Sequence, residues 1–362
     1  MSGMPSISIR FLEQAATAIA RGSRGAVGLI LRGAIPTTNP AVILSSTDIV
    51  STWSTANKQY ILDALTGYIE TPQKVVCYFI AATAPTGSTD EDLYNEALQY
   101  FSKNHVDYLA IPTVATDEME TVVKTWVKNE WDNKNYTFVI LPNTAADHES
   151  VINFTTGSIA VKTNTYTTEQ YTPRIAGLLA GTPMTISSTY APLPEVDNVE
   201  RLTSSERDAA VDAGKFILYH DGEKVKVGRG VTSFVTTTST KGDSFKKIKL
   251  VNTMCLISTD IKKTIEDSYI GKYPNTYDNK VLLICAIRGY LDEMGRQQII
   301  ERDFTIDIDT EANANYLRSK GIDISSMTED EIKKANTGDH VFLVGRMKLV
   351  DTMEDVDIPI YI

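Results

Sequence analysis

The sequence predicts an α/β fold within an α+β whole. An α/β domain with a mostly parallel sheet comes first, a second α+β region follows it, and a strand-like segment stands at each end. Three observations carry this reading. Between about residues 48 and 182, strands that are apolar throughout alternate with amphipathic helices, the mark of a parallel sheet covered on both faces. Ala191-Pro192-Leu193-Pro194 is the clearest break in the chain, since Pro-rich stretches punctuate domains. Both termini alternate apolar and polar residues with the period of two that belongs to half-buried strands.

Taken in order, Ile7, Ile9 and Phe11 share one face and Ser6, Ser8 and Arg10 the other, with Pro5 placing this strand at an edge. Arg21-Gly22-Ser23-Arg24-Gly25 turns the chain into a strand at Ala26–Leu31. An apolar stripe through Ile61, Leu62, Leu65, Tyr68 and Ile69 predicts a helix, and Val75–Ala82 a buried strand. Leu93, Tyr94, Ala97, Leu98 and Phe101 make the next helix, before a short strand at Tyr108–Ile111. Met119, Val122, Val123, Trp126 and Val127 form a third helix, followed by the strand Tyr136–Leu141. Thr172-Pro173 opens a helix through Ile175, Leu178 and Leu179, with Pro at its first position.

Beyond the break, Thr203-x-x-Glu206 is a capping box on a short helix ending near Gly214. Phe216–Val227 reads as a hairpin about Asp221-Gly222. Helices follow with Ile261, Ile265 and Tyr269 in line, and from about Lys280 to Met294. Phe304, Ile306 and Ile308 signal a strand, and Thr328-x-x-Glu331 caps a short helix carrying Lys333 and Lys334. Val341–Val350 is strand-like, as are Val356, Ile358, Ile360 and Ile362 alternating with Asp357, Pro359 and Tyr361.

The 362 residues suggest two or three domains. Hydrophobic residues at 42% and charged residues at 22% exclude disorder, collagen and coiled coil. The longest apolar run, Val75–Ala82, is far short of the roughly 18 residues of a membrane helix. No signal peptide is expected, because Ala15–Ala20 is short and Glu13 stands where a positive leader belongs. Lys and Arg number 35 against 46 Asp and Glu, and 35 − 46 = −11 argues against a general nucleic-acid binder. Cys77, Cys255 and Cys285 read as buried reduced thiols. Three cysteines and four scattered histidines offer no zinc set, so no metal is expected.

Enzyme motifs are scarce, and neither a cofactor nor a catalytic residue is expected. Gly22, Gly25 and Gly28 precede a strand and lack the dinucleotide spacing, while Gly214-Lys215 and Gly271-Lys272 lack the rest of a P-loop. His105, His148, His220 and His340 lie in four unrelated contexts. Asp307-x-Asp309 and Asp355-x-Asp357 sit in alternating strands, where solvent-facing positions explain them. Asn135 and Asn153 begin sequons that mean nothing without secretion. Lys246, Lys247 and Lys249 form either a solvated strand face or a contact for an acidic partner. The terminal strands are the unusual feature: they either tuck into the chain's own sheet or are donated to neighbouring copies. A head-to-tail contact that does not close gives an open helical filament.

Several segments, in order, resemble the tail sheath proteins of contractile phage tails and of R-type phage-tail-like bacteriocins. They are Gly3–Ile9, Ala15–Ile19 and Arg21–Gly25; Thr172–Gly181; Leu202–Gly214; Val225–Phe234; and Leu250–Tyr290. The last contains Ile257-Ser258-Thr259-Asp260-Ile261 and Tyr269-Ile270-Gly271-Lys272-Tyr273-Pro274-Asn275. The resemblance implies a non-enzymatic sheath subunit, with an N-terminal arm (1–20), an inserted outward-facing α/β domain (21–190), a C-terminal sheath core (191–350) and a C-terminal arm (351–362). It implies stacked hexameric rings around an inner tube, bounded by a baseplate and a tail terminator, with neither nucleic acid nor membrane insertion. Contraction releases energy stored in a metastable extended state and drives the tube through a target envelope. Assembly is expected in the bacterial cytoplasm, before release as part of a phage or phage-tail-like particle. Ile7, Ile9 and Phe11, and Val356, Ile358 and Ile360, would be the subunit-linking arms, and Lys333 and Lys334 candidates for tube contact. Two other classes stay open on the residues alone: a soluble α/β ligand-binding enzyme with a site at the carboxyl edge of the sheet, and an adhesin-like module closed by the terminal strands.

Overall fold

The computed structural model describes Ile19 and residues 25–362. Two compact units emerge, one from 25–256 with 351–362 and the other from 257–350.

In chain order the first unit holds β1 (Ala26–Arg32), β2 (Ala41–Ile43), α1 (Thr55–Leu65), β3 (Lys74–Ile80), α2 (Asp90–Lys103), β4 (Tyr108–Ala110), α3 (Glu120–Asp132) and β5 (Phe138–Pro142). It continues with β6 (Val151–Phe154), β7 (Ile159–Val161), β8 (Asn164–Tyr166), α4 (Thr172–Ala180), α5 (Ser204–Asp212), β9 (Lys215–Phe216), β10 (Leu218–His220) and β11 (Val225–Val227). A seven-stranded sheet runs β2-β3-β1-β4-β5-β6-β9. Every pairing in it is parallel except β2 on β3. Strands buried on both faces have no polar face to show, so β1, β3, β4 and β5 fall where the uninterrupted apolar strings are. Gly28 belongs to this packing: a Cβ there would meet the Phe101 ring at 2.8 Å, so its absence lets α2 close on β1. Asp107 fixes the start of β1, accepting from the Gly25 and Ala26 amides at 2.8 and 2.9 Å.

The expected boundary at 190/191 falls inside this unit. Leu193 N donates to Val225 O at 2.9 Å and Val227 N to Ala191 O at 2.9 Å, so the Pro-rich stretch lies along β11. Pro192 and Pro194 alternate with the residues that pair, and a stretch that reads as a linker is held as an edge. The predicted hairpin forms as β10 and β11, and Thr203 and Glu206 cap α5 reciprocally.

The lysine cluster is not a strand face. Lys246 ends a 3-10 turn, Lys247 follows it, and Lys249 is buried in the first turn of α6 (Ile248–Ser268).

The second unit takes the rest of α6, then α7 (Tyr277–Arg296), β12 (Thr305–Ile308), α8 (Thr310–Ser319), α9 (Glu329–Lys334) and β13 (Leu343–Arg346). β12 and β13 pair antiparallel as a two-stranded sheet. Ile306 and Ile308 turn inward from β12, while Leu283, Ile287 and Leu291 are buried on α7. Tyr290 OH donates to Asp260 Oδ2 at 2.8 Å between α7 and α6.

Four expectations are corrected here. Cys285 is exposed, unlike Cys77 and Cys255, because the string around it is helical and the helical period turns it outward. The strand expected over Val341–Val350 shrinks to β13, with a lone bridge at Leu349. The segment carrying Val356, Ile358 and Ile360 forms no strand, since a strand needs an edge to pair with and none of the described ones is paired to it. Asp309 caps α8 instead of facing solvent from a strand, accepting from Ala312 N at 2.9 Å. Ile7, Ile9 and Phe11 lie outside the described residues. No described helix is long and apolar enough to cross a membrane.

Candidate functional site

In an open parallel sheet, ligands bind beyond the carboxyl ends of the strands where the strand order reverses. Here that point lies between β1 and β4, and the chain's own charges fill it. Arg32, last in β1, donates through Nε to Asp117 Oδ2 at 2.7 Å and through a terminal nitrogen to Ala81 O at 3.1 Å. Its other terminal nitrogen lies 2.7 Å from Asp90. Tyr94 OH and Thr113 Oγ1 also donate to Asp117 Oδ2, at 2.6 and 2.8 Å. Burial, and then the Asp117 carboxylate, push the Tyr94 phenol far up, so it stays protonated as a donor. At this crevice one carboxylate, Asp117, is shared by a guanidinium, a phenol and a hydroxyl of the chain itself.

The remaining motif residues do not converge either. Asp307 pairs with Lys333 at 2.8 Å, Asp355 pairs with Arg229 at 2.5 Å, and Asp309 caps a helix. Among the described residues no group of three His, Cys, Asp or Glu is placed to hold a metal ion.

The C-terminal segment is built differently. Its root is clamped to the first unit at Glu354, whose side chain is 5% exposed and lies 3.1 Å from Lys247 Nζ and 3.4 Å from Arg229 Nε. Thr189 Oγ1 donates to the same carboxylate at 2.6 Å, and Lys247 also pairs with Asp351. Burial works against the Lys247 ammonium, but Asp351 and Glu354 outweigh it and raise its pKa. Past this clamp the chain stands out in solvent, with Val356, Ile358 and Ile360 exposed by 72, 71 and 82%. The lysine cluster that sequence reasoning left undecided thus holds the chain's own tail. No local pattern signals a bond between residues 107 apart.

Two more surfaces stand out in the second unit. A cleft of about 1020 Å³ opens between α6, α7 and the β12–β13 pair, lined by Ile261, Ile265, Leu283, Ile287 and Val341. On α9, Lys333 is already engaged by Asp307 and by Glu329 at 3.7 Å, whereas Lys334 is about half exposed and reaches Asp330 at 3.5 Å.

Comparison with known proteins shows the family to which these units belong. The family model for the phage tail sheath protein central domain matches residues 86–233, and that for the phage tail sheath C-terminal domain matches residues 240–362. The chain belongs to the phage tail sheath family. The tail sheath protein of Clostridium phage phiCD119 is 38% identical over 99% of both chains. A sheath tail protein of Desulfitobacterium hafniense shares the fold with a TM-score of 0.71 at 16% identity, over 95% of this chain and 100% of that one. The contracted sheath of an extracellular contractile injection system, PVC, does so with a TM-score of 0.66 at 12% identity, over 100% of this chain and 98% of that one. The sheath protein is therefore a structural component of phage or phage-tail-like particles that assembles with copies of itself, and not an enzyme.

Proposed function

We propose that this sheath protein polymerises as stacked hexameric rings around an inner tube, between a baseplate and a tail terminator, after synthesis in the bacterial cytoplasm. Its α/β domain faces outward and the second unit faces the tube. Contraction is a rigid-body rearrangement of subunits out of a metastable extended packing, triggered from the baseplate, and consumes no nucleotide. The arms at Ile7, Ile9 and Phe11 and at Val356, Ile358 and Ile360 link each copy to its neighbours and keep the rings joined while they move. Lys334, and Lys333 less so, face acidic groups on the tube.

The observation that supports this best is the C-terminal tail: a firmly clamped root followed by an exposed segment with the alternation of a strand. Pro359 has no N–H to donate, so the tail's ladder forms through residues 356, 358, 360 and 362, on the side opposite Pro359. Negative-stain electron microscopy of the purified chain is the test. Full-length protein is expected to form hollow striated tubes, and a chain lacking residues 356–362 to remain folded and dispersed. Normal tubes from the shortened chain would overturn the reading.

A further inference from the structure

We infer that the cleft between α6, α7 and the β12–β13 pair binds a linear alkyl carboxylate, with its head group on the Lys280 ammonium and its chain along Leu283, Ile287 and Leu291. Binding of this kind needs only a single chain and is independent of how copies join.

Lys280 is the anomaly that leads there. It lines the cleft, is 3% exposed, and sits in the first turn of α7, where the helix dipole disfavours a cation. An ammonium has three N–H donors, and Lys280 gives one to Thr337 Oγ1 at 3.0 Å. That oxygen also accepts from Asn275 Nδ2 at 3.2 Å and donates to His340 O at 2.5 Å, so its capacity is used up. No carboxylate among the described residues pairs with Lys280, and burial lowers its pKa. A buried ammonium held by one neutral hydroxyl is costly until an anion arrives. An anion there also meets the N–H groups that begin α7, where the same dipole favours it.

The rest of the lining says what the anion must carry. Leu283, Ile287 and Leu291 follow Lys280 at helical spacing, so one face of α7 runs from the charge into an apolar wall. Ile261 and Ile265 of α6 line the same space. From Lys280 to Leu291 the helix rises about 16 Å. An extended alkyl chain advances about 1.3 Å per carbon on its ~1.5 Å bonds, so about twelve carbons match that face. The cleft's volume of about 1020 Å³ stands at the upper end of the roughly 300–1,000 Å³ of small-molecule sites. The carboxylate of the lining, Asp339, is held by His340 at 2.6 Å and does not compete for Lys280. A small inorganic anion would match Lys280 and leave the wall wet, while a neutral hydrocarbon would cover the wall and leave Lys280 unmatched. An amphiphile satisfies both, and a filled cleft no longer shows solvent a large apolar patch.

The test is isothermal titration calorimetry of dodecanoate, below its micelle concentration, into full-length protein kept dispersed. Saturable one-to-one binding is expected. Dodecyltrimethylammonium, with the same chain and the opposite charge, should bind more weakly by about tenfold or more. Octanoate should be weaker by roughly two orders of magnitude, since each lost methylene costs about fourfold. Lys280→Met is expected to erase the preference for the anionic head. Leu283→Trp fills the apolar part and is expected to abolish binding with Lys280 in place. Circular dichroism checks that both variants fold, and a variant that does not leaves the head-group comparison on the wild-type chain to decide. Equal affinity for the two head groups would reduce the site to an apolar surface and overturn the inference. Absence of saturable binding would overturn it too, as would a diazirine-bearing dodecanoate that labels residues outside 261–347.

Discussion

Arg32 Nε lies 2.7 Å from Asp117 Oδ2, and that contact closes the position where a sheet of this topology would otherwise open to a ligand. Asp117 also holds the Tyr94 hydroxyl and Thr113. The cluster stabilises the α/β domain at the place where related topologies do chemistry.

Removing one partner should therefore destabilise without any change in ligand binding. Asp117→Asn or →Ala leaves the Arg32 guanidinium short of a counter-charge, and losing half of a buried pair costs about 3–5 kcal/mol. Urea unfolding should show a loss of that order, and a loss below about 1 kcal/mol would mean Asp90 alone suffices.

Asp63 on α1 should make stability fall as pH rises. Burial lifts its carboxyl from 3.8 to about 6, against the Gln59 hydrogen bond and the Arg174 charge. The folded chain then holds a proton that the unfolded chain releases, so this contribution is complete below about pH 4 and lost as pH climbs to about 6. Two pKa units correspond to about 3 kcal/mol. Asp63→Asn is expected to raise the melting temperature at pH 7 and to flatten its slope between pH 4 and 6. Calorimetry at pH 4, 5, 6 and 7 checks both.

The tail root and the tail proper should separate by mutation. Ile358→Asp is expected to abolish tubes while leaving the circular dichroism spectrum unchanged. Lys247→Ala removes the partner of Glu354 and Asp351, and is expected to keep the tail's sequence but free its root. Hydrogen exchange at residues 351–355 should accelerate in this variant, and tubes should form less cooperatively. Protection unchanged from wild type would show that Arg229 and Thr189 hold Glu354 by themselves.

The two lysines of α9 should also part company. Lys334→Glu is expected to weaken co-sedimentation with the cognate tube protein and to leave the fold intact. Lys333→Ala frees Asp307 and is expected to affect local stability more than tube binding. Equal co-sedimentation of wild type and Lys334→Glu would remove α9 from the tube interface.

What the sequence made legible was local. β1, β3, β4 and β5 are apolar through their whole length because both faces of the sheet are covered, and the boxes at Thr203 and Thr328 announce their helices within four residues. β2 stayed hidden, being three residues at an antiparallel edge with Val42 facing solvent. The site was less legible. The tail's alternation was visible, but its clamp joins Glu354 to Arg229 and Lys247 across more than a hundred residues, and the lysine cluster read either as a strand face or as a contact for an acidic partner. The cleft depends on how two helices and a pair of strands distant in sequence sit around empty space, which no periodicity records. Lys280 looked like any polar start of a helix until its surroundings were known.

Pro359 sets the valence of the tail. A strand with donors on both sides can be stacked upon from either direction, and growth of that kind has no natural stop. In the proposed arm role, the donor missing at Pro359 would leave each tail one sticky edge and one blunt edge. A lattice tied by such connectors would gain one partner strand per tail, so its links would stay countable and its sheets finite however long the polymer became.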